Sequence, residues 1–153
     1  MSYTIEQIED AVIDELQPLK ATLGVRVIKS YQGELESEED INRLVRLFPA
    51  IYVVYGGSEY AEHGARKIEK MGYVLLVCDK SLRAEEEARR GGAKNPGTYA
   101  MLNAIRDRLF GSMLSLEMLP MTLLREAPLW FSRGISIYSA EYETAQAMLY
   151  PSP

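Results

Sequence analysis

The sequence predicts an α+β domain in which about three helices pack on a mostly antiparallel sheet, in the order α-β-α-β-β-α-β-β. Three observations carry this. Residues 4–24 and 98–111 repeat apolar side chains at helical spacing. The runs Ala50–Tyr55 and Lys67–Cys78 are dense in β-branched and aromatic residues and close together in the chain, which predicts an antiparallel hairpin. The segment Gly134–Ala147 alternates like a strand.

In the first helix Thr4 and Gln7 form a capping-box pair ahead of a stripe of Ile5, Ile8, Val12, Leu16, Leu19 and Leu23. Pro18 should kink or limit its regular part, and Gly24 should stop it. Val25–Tyr31 has a strand's composition. The acidic turn Gly33–Asp40 leads into a second helix capped by Ser37, with Ile41, Leu44, Val45 and Phe48 facing the core and Pro49 ending it.

Ala50–Tyr55 is apolar enough to be covered on both faces, and Gly56–Gly64 is expected to be a turn or loop. Between Lys80 and Gly97 no apolar stripe exists. Arg83–Arg90 can form a short exposed helix supported by Glu85–Arg89 and Glu86–Arg90 pairs. The helix Thr98–Phe110 buries Met101, Leu102, Ile105 and Leu109. Short strands are expected at Thr122–Arg125 and Leu129–Arg133, separated by Pro128. Gly134–Ala147 is expected as a long, largely exposed strand, with Tyr138, Tyr142 and Thr144 on one face and Ile135 and Ile137 on the other. No internal repeat interrupts this order, and residues 1–153 read as a single domain.

Composition narrows the function. An apolar fraction of 47% is that of a globular chain. Twenty-two acids against 17 bases give a net charge of −5, which argues against a surface that grips nucleic acid tightly. No apolar run is long enough to cross a bilayer, and the acidic start is unlike a signal peptide, so the expected place is the bacterial or host cytoplasm. Cys78 alone cannot make an intrachain disulfide and sits in an apolar run, where a buried, inert thiol is expected.

Reactive groups are sparse. His63 and Cys78 fall in separate elements and give neither a zinc ligand set nor a supported nucleophilic pair. Gly92–Thr98 approaches a phosphate-binding loop but lacks its lysine, and Gly56-Gly57 lacks the spaced glycines of a dinucleotide fold. Turn chemistry explains both. The carboxylates cluster at Glu34–Asp40 and Glu85–Glu87, as solvated helix starts do. No catalytic, metal or cofactor site is therefore expected.

Interaction surface is better represented. Ten tyrosines and one tryptophan are many amphipathic anchors, and an unpaired C-terminal strand would seek a neighbour. The candidate contact residues are Arg83, Arg89, Arg90 and Lys94, the acidic Glu34 and Glu36, and the strand residues Tyr138 and Tyr142. A head-to-tail ring could set the basic loop of one copy against the acidic turn of the next, although two unrelated solvated segments would look the same.

Several segments resemble the small structural proteins encoded in the tail gene clusters of Mu-like phages and prophages. They are Tyr31-Gln32-Gly33-Glu34, Phe48-Pro49-Ala50-Ile51-Tyr52-Val53, the loop from Arg83 through Arg89-Arg90-Gly91, Pro96-Gly97-Thr98-Tyr99 followed by Leu102, and Arg108-Leu109-Phe110-Gly111. Together they span most of residues 5–111. The resemblance implies a tail-terminator-like protein: an α+β subunit of a homo-oligomeric ring, commonly a hexamer, that caps the tail tube and meets the head–tail connector in the virion tail. Two alternatives stay open. A monomeric adaptor or assembly chaperone of the tail pathway would remain near 17.3 kDa in solution. A small enzyme with a carboxylate-based site would show convergent, pKa-shifted carboxylates in a pocket.

Overall fold

The computed structural model describes residues 2–83, 85–132 and 134–149. Along the chain lie α1 (Ile5–Leu16), α2 (Leu19–Leu23), β1 (Val27–Ser30) and α3 (Glu38–Leu44), which runs on into a 3-10 turn at Val45–Leu47. There follow β2 (Ala50–His63), β3 (Arg66–Lys80), α4 (Glu85–Arg90), α5 (Thr98–Leu109), β4 (Thr122–Ser132) and β5 (Ile135–Leu149). The five strands form one sheet in the order β1-β2-β3-β5-β4. Only β1 and β2 run parallel; every other neighbouring pair is antiparallel.

Local chemistry sets the helix ends as expected. The Gln7 backbone N–H donates to Thr4 Oγ1 at 3.1 Å, and the Thr4 N–H donates to Gln7 Oε1 at 2.8 Å, completing the capping box of α1. Pro18 divides α1 from α2, because its ring cannot continue the helix. Gly24 takes the left-handed conformation, φ 73°, that closes α2. Ser37 Oγ accepts from the Asp40 N–H at 3.1 Å and starts α3.

One face of the sheet carries the larger core. Ile8, Val12 and Leu16 of α1 and Met101, Ile105 and Leu109 of α5 are fully buried against Ile51 and Val53 of β2, and Met71, Tyr73, Leu75 and Val77 of β3. The opposite face holds a smaller cluster, where Ile41 and Phe48 cover Ala50, Tyr52, Cys78, Ile135 and Ile137. The start of β2 is thus covered on both sides, as its continuous apolar composition predicts. Cys78 is fully buried, and burial pushes its thiol pKa well up.

Three expectations are corrected. Gly56–Gly64 is not a loop: β2 continues to His63, pairing Gly57–His63 with Arg66–Gly72 across a bulge between Tyr55 and Gly57. The two glycines loosen the strand locally without ending it, and Gly57 accommodates φ 117°. The two short strands around Pro128 are one strand, β4, with register shifts at 123–125 and 128–130. Proline is tolerated because β4 is an edge strand and the shift beside Pro128 relaxes the ladder.

The third correction concerns the C-terminal strand. β5 is not an exposed edge; it lies between β3 and β4 and pairs with both. Its polar side chains are absorbed internally: Thr144 donates to the Leu119 carbonyl at 2.7 Å, and Gln146 Nε2 donates to Glu69 Oε1 and the Tyr3 carbonyl at 2.9 Å each. The alternation was genuine, but polar groups with partners can be buried as readily as apolar ones.

Burial of tyrosines yields a prediction about alkaline stability. The hydroxyls of Tyr52 and Tyr142 are buried without a hydrogen-bond partner among the described residues. Burial, first, pushes the Tyr52 pKa from 10.0 up to about 12, and it raises Tyr142 still further. Unfolded tyrosines ionise near the ordinary value while these stay protonated, so their contribution is intact below pH 10 and is lost as pH rises through about 12. Urea unfolding at stepped pH should show Tyr52→Phe within about 1 kcal/mol of the parent at neutral pH, because no satisfied bond is lost. Above pH 10 the variant should lose stability less steeply than the parent.

Candidate interface sites

The end of β3 organises the first candidate site. Asp79 is fully buried there, yet its carboxylate is fully engaged. Oδ1 accepts from the Lys80 N–H at 2.8 Å, while Oδ2 accepts from Asn95 Nδ2 at 3.0 Å and from the Gly97 N–H at 2.7 Å. Asn95 also donates to the Glu87 carbonyl at 2.8 Å, and Ser81 Oγ donates to Glu87 Oε2 at 2.9 Å. These bonds fasten the loop 91–97 to the sheet and tie α4 to both through Glu87. Burial raises the Asp79 pKa, opposed by the Asn95, Lys80 and Gly97 donors.

A cavity of about 360 Å³ opens beside this loop. Arg26, Lys80, Arg83 and Lys94 line it together with Asp79 and Glu87. Among the described residues, none of the four cations has a carboxylate oxygen within 4.0 Å. Burial and then the Arg26 charge lower the Lys80 pKa, with Asp79 acting the other way. Leu23, Phe48, Pro49 and Leu82 supply an apolar part of the wall.

A second group of residues surrounds Arg89. Its guanidinium lies 5.4 Å from the Phe131 ring centroid, Phe131 lies 5.4 Å from Tyr138, and Tyr138 lies 5.8 Å from Tyr99. Phe131 and Tyr99 remain 42% and 44% exposed, so the patch faces solvent. Arg89 Nε is buried without a partner among the described residues. Burial and the neighbouring Tyr99 push the Tyr138 pKa up to about 12, while Arg89 pulls it down.

The apolar surface is unevenly spread. Of the ten large apolar side chains that are exposed among the described residues, six fall between positions 110 and 131: Phe110, Met113, Leu119, Leu124, Leu129 and Phe131. Leu124 and Leu129 stand at the two register shifts of β4, where the strand has no partner opposite them. Apolar side chains concentrated along an edge mark a surface meant for contact.

The predicted contact residues are thus dispersed. Arg83 and Lys94 meet in the cavity, Arg89 and Tyr138 join the aromatic patch, and Arg90 pairs with Glu86 at 2.9 Å on α4. Tyr142 is corrected: it is fully buried under α5 and offers no surface. Glu36 is exposed and accepts from the Tyr31 hydroxyl at 3.0 Å. Glu34 turns inward, its side chain only 12% exposed, and accepts from the Gln32 N–H at 2.8 Å.

Sequence reasoning missed Arg26, Lys80 and Asp79, which reach the cavity through strand ends rather than through a motif. Asp79 did carry a signal, being a carboxylate directly after an apolar strand. Gly92–Thr98 turns out to spend a backbone donor on that carboxylate. His63 is exposed at the tip of the β2–β3 hairpin and Cys78 lies at its other end. No group of three His, Cys, Asp or Glu side chains able to hold a metal occurs among the described residues.

Comparison with known proteins first defines the class. A chain from a structure described as "Virion of native gene transfer agent (GTA) particle" has this α+β fold, with a TM-score of 0.58 at 17% identity, covering 96% of this chain and 100% of that one. The family model described as "Bacteriophage Mu, Gp37" matches residues 4–147, and the chain belongs to that family. Membership bears out the resemblance to small tail proteins of Mu-like phages. No curated protein matches the sequence.

The Asp79 fastening can be tested. Gly97 has φ 86°, and a Cβ there would meet the Gly91 nitrogen at 2.3 Å and the Arg89 carbonyl oxygen at 2.6 Å. Gly97→Ala should therefore cost about 3 kcal/mol or more, and Asp79→Ala about 2–5 kcal/mol through its stranded donors, both read as a fall in thermal midpoint.

Proposed function

We propose that this chain is a tail-terminator-like subunit. Copies close into a ring, six in number by the resemblance, that caps the tail tube and joins it to the head connector. Assembly takes place in the bacterial host cytoplasm, and the product is part of the virion tail. The observation that carries this reading is the apolar β4 edge with the connection that precedes it, six exposed large side chains on one stretch of a chain with a charge of −5. Such a surface suits protein neighbours better than solvent.

The character of the edge favours side-chain packing over strand addition. Pro128 lacks an N–H, and two register shifts break the regular row of donors and acceptors. Beside it, the Arg89 patch combines a cation with Tyr99, Phe131 and Tyr138, the residue types enriched at the centres of interfaces. The exposed acidic turn at Glu36, Glu38 and Glu39 is the complementary surface for a head-to-tail neighbour. An acidic ring also suits a passage for DNA, since like charge keeps the polymer off the wall. Residues 1–153 act in this picture as one domain.

Purified protein mixed with tail tubes and imaged should show ring density at the tube end. Tubes that keep elongating in its presence would sink the proposal. Phe131→Asp and Leu129→Asp, both at exposed positions, should leave the fold intact and weaken capping by about thirtyfold or more, the scale of a lost interface anchor of roughly 2 kcal/mol.

A further inference from the structure

The basic cavity beside loop 91–97 is separate from the β4 edge, and no ion pair among the described residues accounts for its charge. In a chain with five more acids than bases, four cations line one cavity against two carboxylates. Both carboxylates are already engaged: Asp79 accepts three hydrogen bonds and Glu87 accepts one from Ser81. The cations are not neutralised, since none has a carboxylate within ion-pair distance among the described residues. Cations held near one another repel, and that cost persists until an anion arrives.

The geometry points to a binding site for an acidic peptide segment of a different protein of the particle, its carboxylates meeting Arg26, Lys80, Arg83 and Lys94 and an apolar side chain resting on Leu23 and Leu82. The size excludes a lone inorganic anion as the best fit, because about 360 Å³ is on the scale of several side chains. The apolar wall excludes a purely ionic ligand for the same reason. Nucleic acid is disfavoured by the net charge of −5, which repels a polyanion of extended length while a short acidic segment feels mainly the local field. Burial first, and then the Arg26 charge, lower the Lys80 pKa, and a carboxylate entering the cavity acts the other way.

The inference rests on the reading that this chain works through protein contacts, but it does not need the ring. The test uses the full chain, isotopically labelled, titrated with a Glu-Leu-Glu-Leu-Glu peptide, a Lys-Leu-Lys-Leu-Lys control and inorganic phosphate in separate arms. The expected result is saturable movement of amide resonances from residues 24–26, 79–83 and 93–95 with the acidic peptide alone, weakening as salt is added. Arg83→Glu and Lys94→Glu, both at exposed positions, should each lower the affinity by about tenfold while the remaining spectrum stays in place.

The inference falls if the acidic peptide moves no resonances, moves others, or binds the two variants as it binds the parent. Phosphate binding as tightly as the peptide would reduce the cavity to a free-anion site. The same resonances moving when the protein alone is concentrated would make a second copy the occupant, and that too overturns it. Ring formation on tubes is scored separately: normal rings with no peptide binding refute the cavity alone, and absent rings with intact peptide binding refute the ring alone.

Discussion

The structure depends on the pairing of β3 with β5. From Arg66 to Lys80 every residue of β3 is matched to one of β5, and the register admits no slip because both faces are filled. A shift by one residue would turn Tyr73, Leu75 and Val77 away from α1 and α5 and set Leu76 and Cys78 in their place. The same register carries Asp79 to the position where it meets loop 91–97, and it sets Tyr138 next to Tyr99 and Phe131. Cavity, aromatic patch and edge therefore inherit their placement from one ladder of hydrogen bonds.

Much of this was legible in the amino-acid order. Helical period, capping residues and turn formers located α1, α3 and α5, because those signals are local and the tertiary fold agrees with them. The hairpin of β2 and β3 was visible in its composition, though not its length, since two consecutive glycines look the same in a bulge as in a turn. The strand-like alternation of β5 was read correctly and its position wrongly. Periodicity tells which side chains share a face; it does not tell which strands lie alongside.

The candidate sites were less accessible to such reasoning. Arg83 and Lys94 could be singled out as cations in a long polar segment, yet their companions Arg26 and Lys80 come from distant strand ends that only the sheet order brings together. Tyr142 and Tyr138 are four residues apart on the same face, and only the depth of α5 over that face decides that one is covered while the other borders solvent.

The side chain of Gln146 bridges to Tyr3 across 143 positions: the Tyr3 N–H donates to Oε1 at 2.7 Å, and Nε2 donates to the Tyr3 carbonyl at 2.9 Å. Because β5 is an inner strand, the core stays unsealed until β5 has left the ribosome. Contacts so far apart in sequence make folding slow, and they also make it a test of completeness. A copy whose translation stops before β5 leaves β3 bare along one side and β4 without its ladder. Such a fragment cannot complete the sheet, so strand order itself separates whole chains from broken ones.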